Sequence, residues 1–134
     1  MKATQIHKRN RALERKGLKR FARYCRKIGH GFMVKRGHGR DGYLDGVPVE
    51  VKVNSHTKHR RPGTFPAHIS AKQLWMILGG SLLAHVNDRG IFIYDKKAIT
   101  KRFVSQYAIY LDHDATLTKA DLDRHIRDIK SKQR

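Results

Sequence analysis

Asp41, Glu50 and Lys52 place two carboxylates and one ammonium within a single short stretch of chain. Asp45-Gly46 lies between the two acids, and Asp-Gly flanked by extended runs is a leading signal for a two-residue β-hairpin turn. Counting outward from that turn sets Leu44 opposite Val47, Tyr43 opposite Pro48, Gly42 opposite Val49 and Asp41 opposite Glu50. Side chains alternate along a strand, so Val47, Val49, Val51 and Val53 share one face while Glu50 and Lys52 share the other. Asp41 and Glu50 then form a non-hydrogen-bonded pair, the kind with Cα atoms about 4.5 Å apart. Like charges so placed repel. Lys52 supplies part of the positive charge that belongs between them, and a divalent cation, with its preference for oxygen ligands, would supply the rest. The plain alternative is a surface hairpin with solvated charges. Pro48 has no N–H to give a ladder, which points to an edge or an irregularity on the far side of its strand. Asp45 is a competing aspartate, but a residue before Gly in a turn has a conformational reason to be there.

Asp, then Glu-x-Lys on the strand after a turn, is the motif of the PD-(D/E)XK nucleases. The sequence resembles that superfamily, and within it the small archaeal-type Holliday junction resolvases and their phage relatives, over about residues 10 to 95. The order is helix, strand, hairpin with Glu50-x-Lys52, basic loop, helix, strand. The resemblance implies an α/β fold with a restriction-endonuclease-like core, a small mixed β-sheet flanked by α-helices. It implies that Asp41 and Glu50 bind one or two Mg²⁺ ions, or Mn²⁺, together with the Val51 carbonyl and Glu14. Lys52 would hold the attacking water or the scissile phosphate. A Lys or Gln early in the later helix would face the site, which Lys72 or Gln73 matches. Two matched cuts in a four-way junction imply a symmetric homodimer.

These residues need elements to hold them. Residues 3 to about 28 read as helix, or as two helices meeting near Gly17. Leu18, Phe21, Cys25 and Ile28 recur on one face. Glu14, the only acid among the first forty residues, falls on the same inward stripe. It reads either as a third carboxylate for the site or as one half of a helix salt bridge. Gly29-His30-Gly31 stops the helix, and Phe32-Met33-Val34 is a short strand. Lys35, Arg36, His38 and Arg40 alternate with glycines in what reads as a phosphate-approaching loop, or as an ordinary strand connection. A long basic loop, 54–66, carries Lys58, Arg60 and Arg61 beside the hairpin face.

Ser70 and Gln73 form a capping box that opens a helix to about Leu78. Leu74, Ile77 and Leu78 are its inward stripe, and Trp75 reads as packing. Capping accounts for Gln73 without any role at the site. Strands follow at 81–87 and 91–94 about Asp88-Arg89-Gly90, then a short helix at 97–106. Residues 107–111 read as a strand or as a contact with a second subunit. A helix at 118–132 has Leu122, Ile126 and Ile129 at helical spacing. That helix lies beyond the resemblance and would extend a single domain, 1–134.

The formal net charge of +19 on 134 residues is far beyond what solubility needs, and nucleic acid is the default partner for such a chain. No apolar run is long enough to span a bilayer, and the first ten residues lack the apolar region of a secretory signal. One cysteine, Cys25, leaves no internal disulfide and no cysteine-based zinc site. An intracellular, cytoplasmic protein is expected. The five histidines from His30 to His68 lack the helical spacing of a metal pair and read as solvated or phosphate-touching. The function expected is a Mg²⁺-dependent endonuclease acting on DNA, branched junctions first. The alternatives are another nuclease of the superfamily (restriction-like, homing or repair) and a non-catalytic basic nucleic-acid-binding protein.

Overall fold

The Asp-Gly turn and the strands it joins stand at the centre of the molecule. In the computed structural model, which describes residues 3–37, 40–53, 64–68, 71–97, 108–112 and 115–132, β2 (Arg40–Leu44) and β3 (Val47–Val53) pair as Leu44–Val47, Tyr43–Pro48 and Gly42–Val49. Asp45 has φ +48° and Gly46 φ +89°, the two positive values of a type I′ turn. β1 (Phe32–Gly37) pairs antiparallel with β2 on one side. On the other side β3 pairs in parallel with β5 (Leu82–Asn87), which turns back into β6 (Gly90–Tyr94). The sheet order is β1-β2-β3-β5-β6. A parallel pair needs a crossover, and α2 (Ala71–Leu78) lies within it. A second, two-stranded sheet joins β4 (Thr64–His68) to β7 (Ala108–Asp112).

Helices flank the five-stranded sheet. α1 (Ala3–Lys27) lies across β1, β3 and β5, and α3 (Lys119–Lys132) packs on β3. Leu18, Phe21 and Cys25 of α1, Val47, Val49 and Val51 of β3, Leu82, Ala84 and Val86 of β5, and Leu122 and Ile126 of α3 form one buried cluster. This is the restriction-endonuclease-like α/β architecture expected. α1 is one continuous helix where two were considered. Gly17 is kept inside it because a Cβ there would fall on the Val53 side chain, so glycine lets helix and strand approach.

α1 and α2 both end in Schellman motifs. His30 N–H bonds to Cys25 O at 2.8 Å and Gly29 N–H to Arg26 O at 3.1 Å. Ser81 N–H bonds to Met76 O and Gly80 N–H to Ile77 O in the same way. Thr118 caps α3 by accepting the Asp121 N–H at 3.1 Å.

Several expectations are corrected. Residues 35–37 and Arg40 belong to β1 and β2, joined by the Gly37–Arg40 pair after an irregularity, so the stretch is strand where a loop was expected. Thr64, Phe65 and Pro66 are strand as well, because β7 supplies their partners. Pro48 sits on a central strand. The parallel ladder begins one residue later, at Val49–Leu82, so its missing N–H is never required. Leu78 and Trp75 are not inward: they are 42% and 76% exposed. Residues 108–112 are strand. Ser70 and residues 98–106 lie outside the described residues.

Candidate active site

β3 carries Glu50 and Lys52 on the face opposite its valines, and α2 covers that face. Glu50 is 7% exposed, which is not the environment of a solvated surface charge. Gln73, on the first turn of α2, donates from Nε2 to Glu50 Oε1 at 2.6 Å and accepts from Lys52 Nζ at 3.3 Å. Lys52 Nζ also lies 3.4 Å from Glu50 Oε1. One oxygen of Glu50 is thereby held twice, while the other, Oε2, is buried without a hydrogen-bond partner among the described residues.

Asp41 sits where the β2–β3 ladder ends. Its Oδ2 accepts the Val51 N–H at 2.7 Å, so the carboxylate takes the place a backbone carbonyl would fill if the ladder ran on. Burial pushes the Glu50 carboxyl up to about 7; the neighbouring Asp41 charge adds to this, and Lys52 offsets part of it. Leu13, Glu14, Asp41, Glu50, Val51, Lys52 and Val53 line one cavity of about 310 Å³. With a water occupying about 30 Å³, that is room for a hydrated cation and a phosphate group together. Glu14 is half-buried on its wall and has no ion-pair partner among the described residues.

The donor set fits a hard divalent cation. Among the described residues no group of three or more His, Cys, Asp and Glu side chains forms a ready-made cage. Magnesium does not need one, since it keeps several waters and is held by one or two carboxylates plus phosphate. The unpartnered Glu50 Oε2 beside Asp41 is the arrangement such an ion would complete.

The fold has a counterpart among solved structures. The chain is similar to Hjc, a Holliday junction resolvase of the archaeal hyperthermophile Archaeoglobus fulgidus, with a TM-score of 0.50 and 11% sequence identity over 75% of this chain and 87% of that chain. At that identity the likeness is one of fold. No protein-family model matches the sequence, and no curated protein matches it.

The remaining candidates are dispersed. Lys72 is exposed on α2. Lys35 is exposed on β1, its Nζ 5.8 Å from the centre of the Tyr43 ring. Arg36 and Arg40 are placed as strand backbone only, and His38, Lys58, Arg60 and Arg61 lie outside the described residues. One neighbour of the site was not foreseen. His85, fully buried, is in register with Lys52 across the parallel ladder, as Leu83 is with Glu50. Paired residues of adjacent strands share a face, so His85 stands beside Lys52. No local signal could align two strands separated by a whole crossover.

His30 was expected to be solvated or phosphate-touching. Its ring is instead held at both nitrogens, by Asp45 Oδ2 and by Asp123 Oδ1, each at 2.5 Å. Both nitrogens donate, which makes it an imidazolium. Burial lowers its pKa, and the two carboxylate bonds more than reverse this, so the net shift is upward. Burial would raise the Asp45 pKa, but His30 and the Gly31 N–H outweigh it and the net shift is downward. The His30 bond is likewise the main cause that lowers Asp123.

Proposed function

We propose that the chain is a divalent-metal-dependent endodeoxyribonuclease of the PD-(D/E)XK type, selective for branched DNA such as the four-way junction. One observation carries the reading: a buried glutamate with one oxygen unpartnered among the described residues, beside a second carboxylate and a lysine, opening on a cavity large enough for a phosphate. The fold likeness to an archaeal junction resolvase and the charge of +19 support DNA as the substrate and the branched form as its geometry.

In this reading Asp41 and Glu50 would hold Mg²⁺ or Mn²⁺, with the Val51 carbonyl and Glu14 able to complete the set. When bound, the ion lowers the pKa of a water and neutralises charge that builds on the phosphate. Asp41 is kept in place by the Val51 N–H. Gln73 fixes the rotamers of Glu50 and Lys52 at once. Lys52 orients the water or the scissile phosphate, and its charge helps keep the facing carboxylates ionised. Lys35, Arg36, His38, Arg40, Lys58, Arg60, Arg61 and Lys72 would contact the DNA backbone. The chain would act as one intracellular domain assembled into a homodimer, since paired cuts need two sites.

The test is incubation of a labelled four-way junction and a matching linear duplex with Mg²⁺ or with EDTA, wild type beside Glu50→Ala. Paired nicks in the junction alone, lost with EDTA and in the variant, are expected. Equal cutting of the duplex would discard the junction preference. Tight binding of both without cutting would leave a basic DNA-binding protein. Cleavage should rise with pH through about 7, the range in which Glu50 ionises.

A further inference from the structure

Exposed cations cover the solvent side of α1, and beside Lys16, Arg20 and Arg26 they include one regular set. Arg11, Arg15, Lys19, Arg23 and Lys27 recur every four residues, and all five are exposed. Residues four apart are neighbours along a helix, each step turning about 40° round the axis at 3.6 residues per turn. These five therefore form a ridge that winds about 160° round α1, from the cavity side at Arg11 to the side opposite the core at Arg23 and Lys27. It spans sixteen residues of rise, about 24 Å at 1.5 Å per residue. None of the five has an acidic partner among the described residues. The one acid in this stretch, Glu14, is turned toward the cavity wall. Five like charges in a row oppose helix formation, a cost that a solvated helix face has no reason to bear.

We propose that this ridge is the seat of a duplex DNA arm, along which the helix tracks the phosphate backbone away from the cleavage site. The inference rests on the nuclease reading for the position of that site and adds the path of the substrate. α1 contributes Leu13 and Glu14 to the cavity wall, so DNA with a phosphate in the cavity meets the Arg11 and Arg15 end of the ridge first and follows it round the helix. About 24 Å of duplex is about seven base pairs at 3.4 Å each, and it presents one charge per about 1.7 Å of axis. An anionic bilayer is the poorer match. Membrane-surface helices bury an apolar face in lipid, and here that face, Leu18, Phe21 and Cys25, is buried in the protein core.

Binding is measured by fluorescence anisotropy in EDTA, so that cleavage plays no part. The ridge variant carries glutamine at 11, 15, 19, 23 and 27. A control of equal charge carries glutamine in place of Lys96, Lys97, Arg127, Lys130 and Lys132, all exposed. The slope of log K against log salt should fall by about 4 to 5 in the ridge variant, at about 0.9 per phosphate contact, with affinity down about a hundredfold or more near physiological salt. The control should keep its slope within about one. Wild type should lose affinity when the duplex arm is cut below about seven base pairs, and the ridge variant should not. Equal losses in the two variants, or none in the ridge variant, would overturn the proposal. So would loss of binding to anionic vesicles with DNA binding intact. If circular dichroism shows the fivefold variant unfolded, the pair Arg11→Gln and Arg15→Gln must lower the slope by about 2. A lowered slope without any cleavage by wild type would sink the nuclease reading alone. Cleavage with an unchanged slope would sink the ridge alone.

Discussion

At the two ends of one hairpin the same chemistry has opposite fates. Asp45, in the turn, gives one oxygen to the Gly31 N–H and the other to His30, whose far nitrogen is taken by Asp123. Each charge there meets an opposite charge, and the carboxylates are more acidic than usual. Glu50, four residues past that turn on β3, has a side chain as buried as that of His30, yet one of its oxygens has no partner among the described residues and its pKa is raised. Lys52 and Gln73 hold only its Oε1, and burying a carboxylate oxygen that accepts no hydrogen bond is costly. The first arrangement ties the hairpin turn to α1 and α3. The second leaves one buried oxygen of Glu50 unsatisfied among the described residues, a cost the first arrangement does not carry.

The sharpest way to break the comparison is Glu50→Gln. Cleavage should fall by at least about a hundredfold, since even groups that merely support a metal ligand are worth about 10- to 100-fold. The same change should stabilise the protein in alkali. A carboxyl whose folded pKa is raised from 4.5 to about 7 leaves stability intact below the lower value and removes it as pH rises through the higher. The stability of the variant relative to wild type should therefore grow by about 2 to 3 kcal/mol between pH 5 and pH 8, read by urea unfolding. Millimolar Mg²⁺ should narrow that gap at pH 8. A gap that ignores both pH and Mg²⁺ would mean that Glu50 is not poised as described.

Gln73→Ala comes next. It frees Glu50 and Lys52 from each other's orientation, and cleavage should drop about tenfold with the Mg²⁺ requirement shifted to higher concentration. Unchanged kinetics would reduce Gln73 to a helix residue. The smallest effect is at the other end. Asp45→Asn keeps a residue suited to the type I′ turn but removes a charge from His30. It should cost about 1 kcal/mol, since Asp45 is partly exposed, and leave cleavage within about twofold. Its pH dependence has a sign of its own. His30 is raised above 6.5, so its contribution is complete below that value and fades as pH climbs through the raised one. Asp45 and Asp123 are lowered below 3.8, so theirs fades as pH falls through the lowered values. The gap between Asp45→Asn and wild type should be widest at mildly acidic pH, and a gap that widens steadily into alkali would contradict the pairing.

The same contrast explains what could be read from the residues alone. The Asp45-Gly46 turn is a local signal, and it delivered the β2–β3 register from Leu44–Val47 to Gly42–Val49. The inward stripe Leu18, Phe21, Cys25 is set by helical period and needs no partner to be recognised. Pro48 was misjudged because the strand that makes β3 central comes after the crossover. Thr64 to Pro66 were misjudged because β7 lies more than forty residues on. His30 is held by residues fifteen and ninety-three positions away, and Glu50's burial depends on where α2 comes down. Gln73 was legible only as a capping residue or as a family resemblance, and its two bonds at the site required the fold.

Cys25 gives the molecule a built-in reporter. The thiol is wholly buried and its pKa is pushed up to about 12, chiefly by burial and further by the Asp45 charge. A reagent that needs thiolate is therefore blind to it in the native state. Its own carbonyl accepts the His30 N–H that closes α1, so the residue joins the helix end to the core. Labelling of this single thiol would count opening events that expose the α1 end, and its rate would separate local from global unfolding without any engineered probe.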